Sequence, residues 1–315
     1  MLRKTTFLLS LIVLLSCQKA KKSTDIFWKD KIYGATVKAI AINNMDFYVG
    51  EPESTFSTTF RFIAEDLGEA IETINIYIGF KDQALLGTTI TGPETLFKTL
   101  SMVDLYKGPD DYPQLDLSFT FAEVAESLQM PLDAVQCKDQ FILRFEISIN
   151  SGLTLSTNTV SPCIIIDGSY YNSPFEYAIN VVEPISDDMF IGQYYYESVV
   201  DGHLGGTLGD NRVVTLTKGH SNNTRRVGEG VIGLAPTYFT IACDGTIMGR
   251  HFYHPKAWSC PRQGDAVILG PDNAIAPISS TDDSVIDLWL VEGYLGFDGI
   301  YDFGTLSTEV RFSKQ

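Results

Sequence analysis

Phe141-Ile142-Leu143-Arg144-Phe145-Glu146-Ile147-Ser148-Ile149 carries an apolar side chain at every odd position, with Arg144, Glu146 and Ser148 between them. Successive side chains of a strand point to opposite faces, so this period of two reads as a half-buried β-strand. Asn150-Ser151-Gly152 follows as a turn, and Leu153 to Val160 reads as the returning arm of a hairpin. Counting back from that turn pairs residue 137 with a position near 164. Cys137 and Cys163 are therefore expected to close the open end of the hairpin.

Similar runs surround this one. Thr36 to Ile42, Phe56 to Ile63, Ile71 to Phe80, Leu85 to Ile90 and Leu115 to Phe119 alternate or are rich in β-branched residues, with turn-forming residues between most of them. Short strands at this spacing predict a β-sandwich, here of Ig-like type. One helix interrupts them. Thr120 and Glu123 have capping-box spacing, and Phe121, Val124, Ala125 and Leu128 share one face, which predicts a helix over Phe121 to Gln129, before Pro131.

A boundary follows the apolar strand Phe175 to Val182, where Pro184-Ile185-Ser186-Asp187-Asp188 forms a polar, proline-led link. Beyond it Ile191 to Tyr196 opens a second β run. Gly202 to Asn211 is a glycine-rich loop. Asp244-Gly245 lies between Tyr238 to Cys243 and Thr246 to His251 as the strongest hairpin dipeptide of the region. With Ala266 to Leu269, Val285 to Val291 and Thr308 to Phe312, these runs give seven or eight strands. An antiparallel barrel or roll, lipocalin-like, is expected.

The first residues supply an address. Arg3 and Lys4 precede the apolar run Phe7 to Leu15, too short to span a bilayer, and Leu14-Leu15-Ser16-Cys17 ends in a cysteine after a small residue. This reads as a lipoprotein signal over residues 1–16, with lipid on Cys17 and a polar tether over 17–25. The remaining segments are then a sandwich domain over 26–183 and a barrel or roll domain over 186–315. The 315 residues are 44% hydrophobic and 20% charged, a composition suited to folding, and the net charge of −16 disfavours nucleic-acid binding. Acidity also keeps an exported protein soluble.

With Cys17 lipidated, Cys137, Cys163, Cys243 and Cys260 remain, an even number in an oxidising compartment. Of three pairings the one that stays within domains is favoured, Cys137 with Cys163 and Cys243 with Cys260. Free buried thiols, or a metal site with histidines, are the alternatives.

Together the lipobox, the segment Tyr170-Tyr171-Asn172-Ser173-Pro174-Phe175-Glu176-Tyr177 with Val181-Val182, Gly192-Gln193-Tyr194, and Cys243-Asp244-Gly245 make the chain resemble lipoproteins of Bacteroidota of SusE-like type. That resemblance implies an accessory of an outer-membrane nutrient importer built from a TonB-dependent, SusC-like channel and a SusD-like lid. It implies an outer-membrane location, lipid-anchored. In that group surface export goes with acidic residues after the lipidated cysteine; here Gln18-Lys19-Ala20-Lys21-Lys22 follows, so the face of the membrane stays open.

No enzymatic motif emerges. Asp110-Asp111, Asp187-Asp188 and Asp282-Asp283 are adjacent acids in predicted turns, where carboxylates cap and solvate. His203, His220, His251 and His254 all follow the boundary, but His251 and His254 fall on opposite faces of a strand and no HExxH accompanies them. There is no GxSxG, and the glycine-rich loop lacks a Walker lysine. Neither a metal nor a cofactor is expected. Asp283-Ser284-Val285 resembles a short O-glycosylation motif, or simply starts a strand.

Arg250 to Arg262 stands apart as a basic, aromatic island in an acidic chain. His251, Tyr253, His254 and Trp258 offer the rings and hydrogen-bonding groups that sugar and peptide ligands need. The alternative, favoured for such a loop, is that the same residues fold over the barrel end and plug the core. The expected function is binding of glycan or peptide without catalysis, with the membrane engaged through lipid on Cys17. A structural or adhesive spacer, or a lipocalin-like carrier of a small apolar ligand, are the alternatives.

Overall fold

The computed structural model describes residues 34–64, 66–82, 92–160, 162–165, 173–203, 205–207, 209–227, 237–243, 247–249, 252–253, 266–271, 282–295 and 301–315. The fold is all-β with one α-helix of more than a single turn among these residues. In chain order the first ten strands are β1 (Ala35–Asn44), β2 (Asp46–Tyr48), β3 (Thr55–Ala64), β4 (Ile71–Lys81), β5 (Thr95–Leu100), β6 (Tyr106–Lys107), β7 (Pro113–Thr120), β8 (Gln140–Ile149), β9 (Thr154–Leu155) and β10 (Glu176–Val182).

These strands form two sheets, ordered β1-β3-β7-β6 and β2-β10-β8-β4-β5, with β9 attached to β8. The inward residues of both belong to one hydrophobic cluster. Period-two patterning places them there: Phe56, Phe60 and Phe62 sit at alternate, buried positions of β3, and Phe141, Leu143, Phe145 and Ile147 do so on β8. The two sets meet across the sheets, with the Phe60 ring 4.8 Å from that of Phe145 and 4.9 Å from that of Tyr177. The free edge of β1 is closed by side chains. Ser173 Oγ accepts the Val37 N–H (2.8 Å), and the Tyr177 hydroxyl accepts the Ala39 N–H (3.1 Å).

The helix α1 (Phe121–Ser127) forms where the sequence predicts it. Thr120 Oγ1 accepts the Glu123 N–H (3.2 Å) while Glu123 accepts the Thr120 N–H (2.7 Å), and Phe121 stacks on Phe47 (5.1 Å). It stops short of Gln129, which adopts a left-handed φ of 54°.

The expected hairpin is shorter than its sequence suggests. Only Thr154–Leu155 returns along β8, because Ser156 and Thr159 turn the chain away (Ser156 N to Thr159 Oγ1, 2.8 Å) into a helical turn at Pro162–Ile165. The neighbours of β8 are instead β4 and β10. The run Leu85 to Ile90 lies outside the described residues.

The remaining strands are β11 (Gly192–Val200), β12 (Arg212–Lys218), β13 (Thr224–Val227), β14 (Thr237–Ile241), β15 (Ile247–Gly249), β16 (Phe252–Tyr253), β17 (Ala266–Pro271), β18 (Val285–Leu295) and β19 (Tyr301–Lys314). They form one antiparallel sheet, ordered β15-β14-β13-β12-β11-β19-β18-β17-β16. The first strand of the run pairs with the last, Tyr196 opposite Phe312. Direction alternates from β11 to β15 and from β16 to β19, and β11 opposes β19, so β15 and β16 point the same way. β15 and β16 are the two ends of the sheet's order, β15 beside β14 and β16 beside β17. The sheet is curled, and consecutive strands are neighbours from β11 to β15 and from β16 to β19, as in an up-and-down meander. β14 and β15 pair as a hairpin where the sequence predicts one, but with Ile241 opposite Ile247, one residue off the register of a two-residue Asp244-Gly245 turn; residues 244–246 lie outside the described residues.

From Ala35 onward the chain is one compact unit with two hydrophobic clusters, the second built on Phe190, Tyr194, Tyr196, Leu216, Phe239, Leu288 and Phe312.

Candidate functional site

The curled sheet has two unlike ends. At the end where β11 begins, Arg225 is fully buried and its guanidinium donates to the carbonyls of Met189 (2.8 Å), Asn222 (2.7 Å) and Thr224 (3.0 Å). Burial pushes its pKa down, with Asp187 and Tyr194 opposing. Beside it the Tyr194 hydroxyl donates to the Asp283 carbonyl (2.9 Å), and burial, with Asp283 adding to it, pushes that phenol up. Asp283 also accepts the Phe190 N–H (3.2 Å) and pairs with Lys314. Asp283 of the Asp283-Ser284-Val285 motif is therefore engaged in closing this end.

Above this floor Tyr196, Phe239 and Phe312 fill the interior, Phe312 lying 5.5 Å from Tyr196 and 6.3 Å from Phe239. The opposite end is polar. Ile286, Leu288 and Leu290 line the inner face of β18, and the next inward position is Glu292, only 7% exposed. Its Oε2 accepts the backbone N–H of His203 (2.8 Å). Gly202 lies so close to this carboxylate that a Cβ there would collide with it. On β19, Thr308 is fully buried one rung below and donates to the Leu290 carbonyl (3.4 Å). In the loop that carries Gly202, Thr207 is buried, and its hydroxyl has no partner among the described residues.

The end that faces the sandwich holds the cysteines. Cys137 and Cys243 form a disulfide, Cα to Cα 5.9 Å. This corrects the expected Cys137–Cys163 and Cys243–Cys260 pairs. The chain turns away after Leu155, so β10 rather than Cys163 reaches the start of β8: the Lys138 N–H donates to the Val181 carbonyl (2.8 Å). The side chain of Cys163, and Cys260 altogether, lie outside the described residues.

Cys17, His251, His254 and Trp258 also lie outside the described residues. Of Tyr253 only the backbone is described, paired with Val267 in β16. His203 sits at the polar end, whereas His220 stacks on Tyr238 (4.5 Å) near the other. Among the described residues no group of His, Cys, Asp and Glu is arranged to hold a metal ion. No described helix is long and apolar enough to cross a membrane. Sequence reasoning missed Glu292 and Arg225. A polar residue continuing the inward series Ile286, Leu288, Leu290 was the signal for the first.

On the outer face of the sandwich, Arg144 lies over the Tyr77 ring (4.4 Å), grips Glu94 through Nε and Nη2, and reaches Glu146 (2.7 Å). The guanidinium's donors are spent on these acids, which suits a strand-fixing role.

No protein-family model and no curated protein matches the chain. Among solved structures, a DUF4466 family protein from Parabacteroides merdae ATCC 43184 is similar at 7% identity, covering 90% of this chain and 99% of that one. Its TM-score of 0.21 carries no argument about fold or ligand.

Proposed function

We propose that the protein is an envelope-anchored, non-catalytic lipoprotein that binds glycan or peptide as an accessory to a TonB-dependent nutrient importer. The observation that carries this reading is the Cys137–Cys243 disulfide in a chain with a lipobox. A disulfide persists in an oxidising compartment, which is where a lipoprotein signal delivers its cargo. The Ig-like reading of the sandwich and the lipocalin-like reading of the curled sheet belong to the same proposal.

A deep apolar carrier is disfavoured by Tyr196, Phe239 and Phe312, which fill the interior and leave the polar end for a ligand. A rigid spacer is the second reading, favoured by the buried bonds from Asn223 to the Glu183 and Ile241 carbonyls (2.6 and 2.7 Å), which tie the two clusters together. Glycan-array and peptide-array binding by the purified protein, with crosslinking in intact cells, separates the two. Array signal and crosslinks to an importer support the accessory; crosslinks to envelope proteins with silent arrays overturn it in favour of the spacer.

A further inference from the structure

We infer that Leu67, Val103 and Leu153 seat one end of the sandwich on the membrane that holds Cys17. This rests on the lipid-anchor reading above and adds the face that the body turns to the lipid. Three turns carry these residues. Leu67 lies between β3 and β4, Val103 in the helical turn Met102–Asp104 after β5, and Leu153 between β8 and β9. The turns share one end of the sandwich because the strand ends do: Ile71 lies opposite Ile149, and Ile74 opposite Leu100. The Asn150 N–H donates to the Ala70 carbonyl (2.9 Å), and Gly68 lies too close to Pro113 for a Cβ, with Met102 beside it.

Val103 is 91% exposed, the most of any large hydrophobic side chain among the described residues, and Leu67 and Leu153 are each 42% exposed. Val213, Tyr195 and most others of that kind lie within strands, where β-propensity accounts for them. Turns favour polar residues and glycine instead. Leu67 also holds a left-handed φ of 56°, which favours glycine or asparagine, so neither the backbone nor the core calls for leucine there. The turns are fixed. The Ser101 N–H and hydroxyl both donate to Asp104 (2.8 and 2.9 Å), and the Ile149 N–H donates to the Leu153 carbonyl (3.0 Å). Apolar tips held outward in this way lose little freedom when they enter lipid.

The path of the chain says what covers them. Ala35, the first residue of β1, pairs with Ala64 at this same end, 18 residues after Cys17. Fully extended, a chain of that length reaches about 65 Å, so the tether leads to this end before any other part of the body. The disulfide to the curled sheet lies at the opposite end, beyond ten-residue strands that span about 33 Å. Asp66, Glu69 and Asp104 flank the tips in sequence, which suits a zwitterionic surface and not an anionic one.

The full lipidated chain in phosphatidylcholine vesicles, with a photoreactive group on the acyl chains, tests this by peptide mapping. Label is expected on the peptides that hold Leu67, Val103 and Leu153, and not on those of the curled sheet. Leu67→Asn, Val103→Ser and Leu153→Ser together should cut labelling of the tips at least about tenfold and leave the circular dichroism unchanged. Unlabelled tips in the unaltered protein overturn the inference, whether water or a crosslinked second copy covers them, and so does label that survives the triple substitution. The intact mass of the same sample reads the anchor separately. Acyl chains on Cys17 with unlabelled tips leave the anchor standing, whereas a chain without acyl groups overturns the anchor and this inference together.

Discussion

Cys137, just before β8 of the sandwich, and Cys243, just after β14 of the curled sheet, are 106 residues apart in sequence and joined in space. The bond links two hydrophobic clusters that otherwise meet through polar contacts. Ser221 donates to the buried Asp46, and Asn223 donates to the Glu183 carbonyl (2.6 Å). Burial, with Asp46, Glu51 and Asp187 adding to it, pushes the nearby Tyr48 phenol up to about 12.

Replacing both cysteines, Cys137→Ser with Cys243→Ser, should lower stability by up to about 4.7 kcal/mol, the chain-entropy value for a loop near this length. Urea unfolding measures it. Non-reducing peptide mapping should recover the Cys137 and Cys243 peptides joined; a Cys137–Cys163 peptide would contradict the pairing.

Arg225→Met keeps much of the side-chain volume but removes the donors to Met189, Asn222 and Thr224. The orphaned carbonyls should cost about 3 kcal/mol, read as a lower urea midpoint. A variant as stable as the parent would show that the closed end does not depend on these bonds.

Burial raises the Asp283 carboxyl, but Lys314 and the Phe190 N–H outweigh it and hold the group below the usual carboxylate range. Its folded pKa lies below its unfolded one, so its contribution is present above about pH 4 and is lost as pH falls through the folded value. Asp283→Asn should flatten that part of the stability-against-pH curve. An acid limb identical to the parent's would exclude Asp283 from it.

Thr120→Ala removes the hydroxyl that caps α1 and should cost about 1 kcal/mol. Thermal unfolding checks it; a change within error would mean that the Phe121–Phe47 stack alone fixes the helix.

The strands legible in sequence are those buried on one face, such as β3, β4 and β8, because alternation is a local signal. The cap at Thr120 and the Asp244-Gly245 hairpin signal between β14 and β15 are local too. The cysteine partner was not legible, since it depends on β10 rather than the Leu153 arm occupying the start of β8, a contact set by the whole sandwich. Arg225 reads as a solvent-facing strand residue until the segment before β11 folds over it.

Whether this is a lipid-anchored envelope protein is decided by intact and peptide mass spectrometry of the chain isolated from its native membrane fraction. A mature N-terminus at Cys17 carrying acyl chains is expected, in a chain that also holds the Cys137–Cys243 link. A chain that retains Met1, or begins elsewhere without lipid, would contradict the lipoprotein reading.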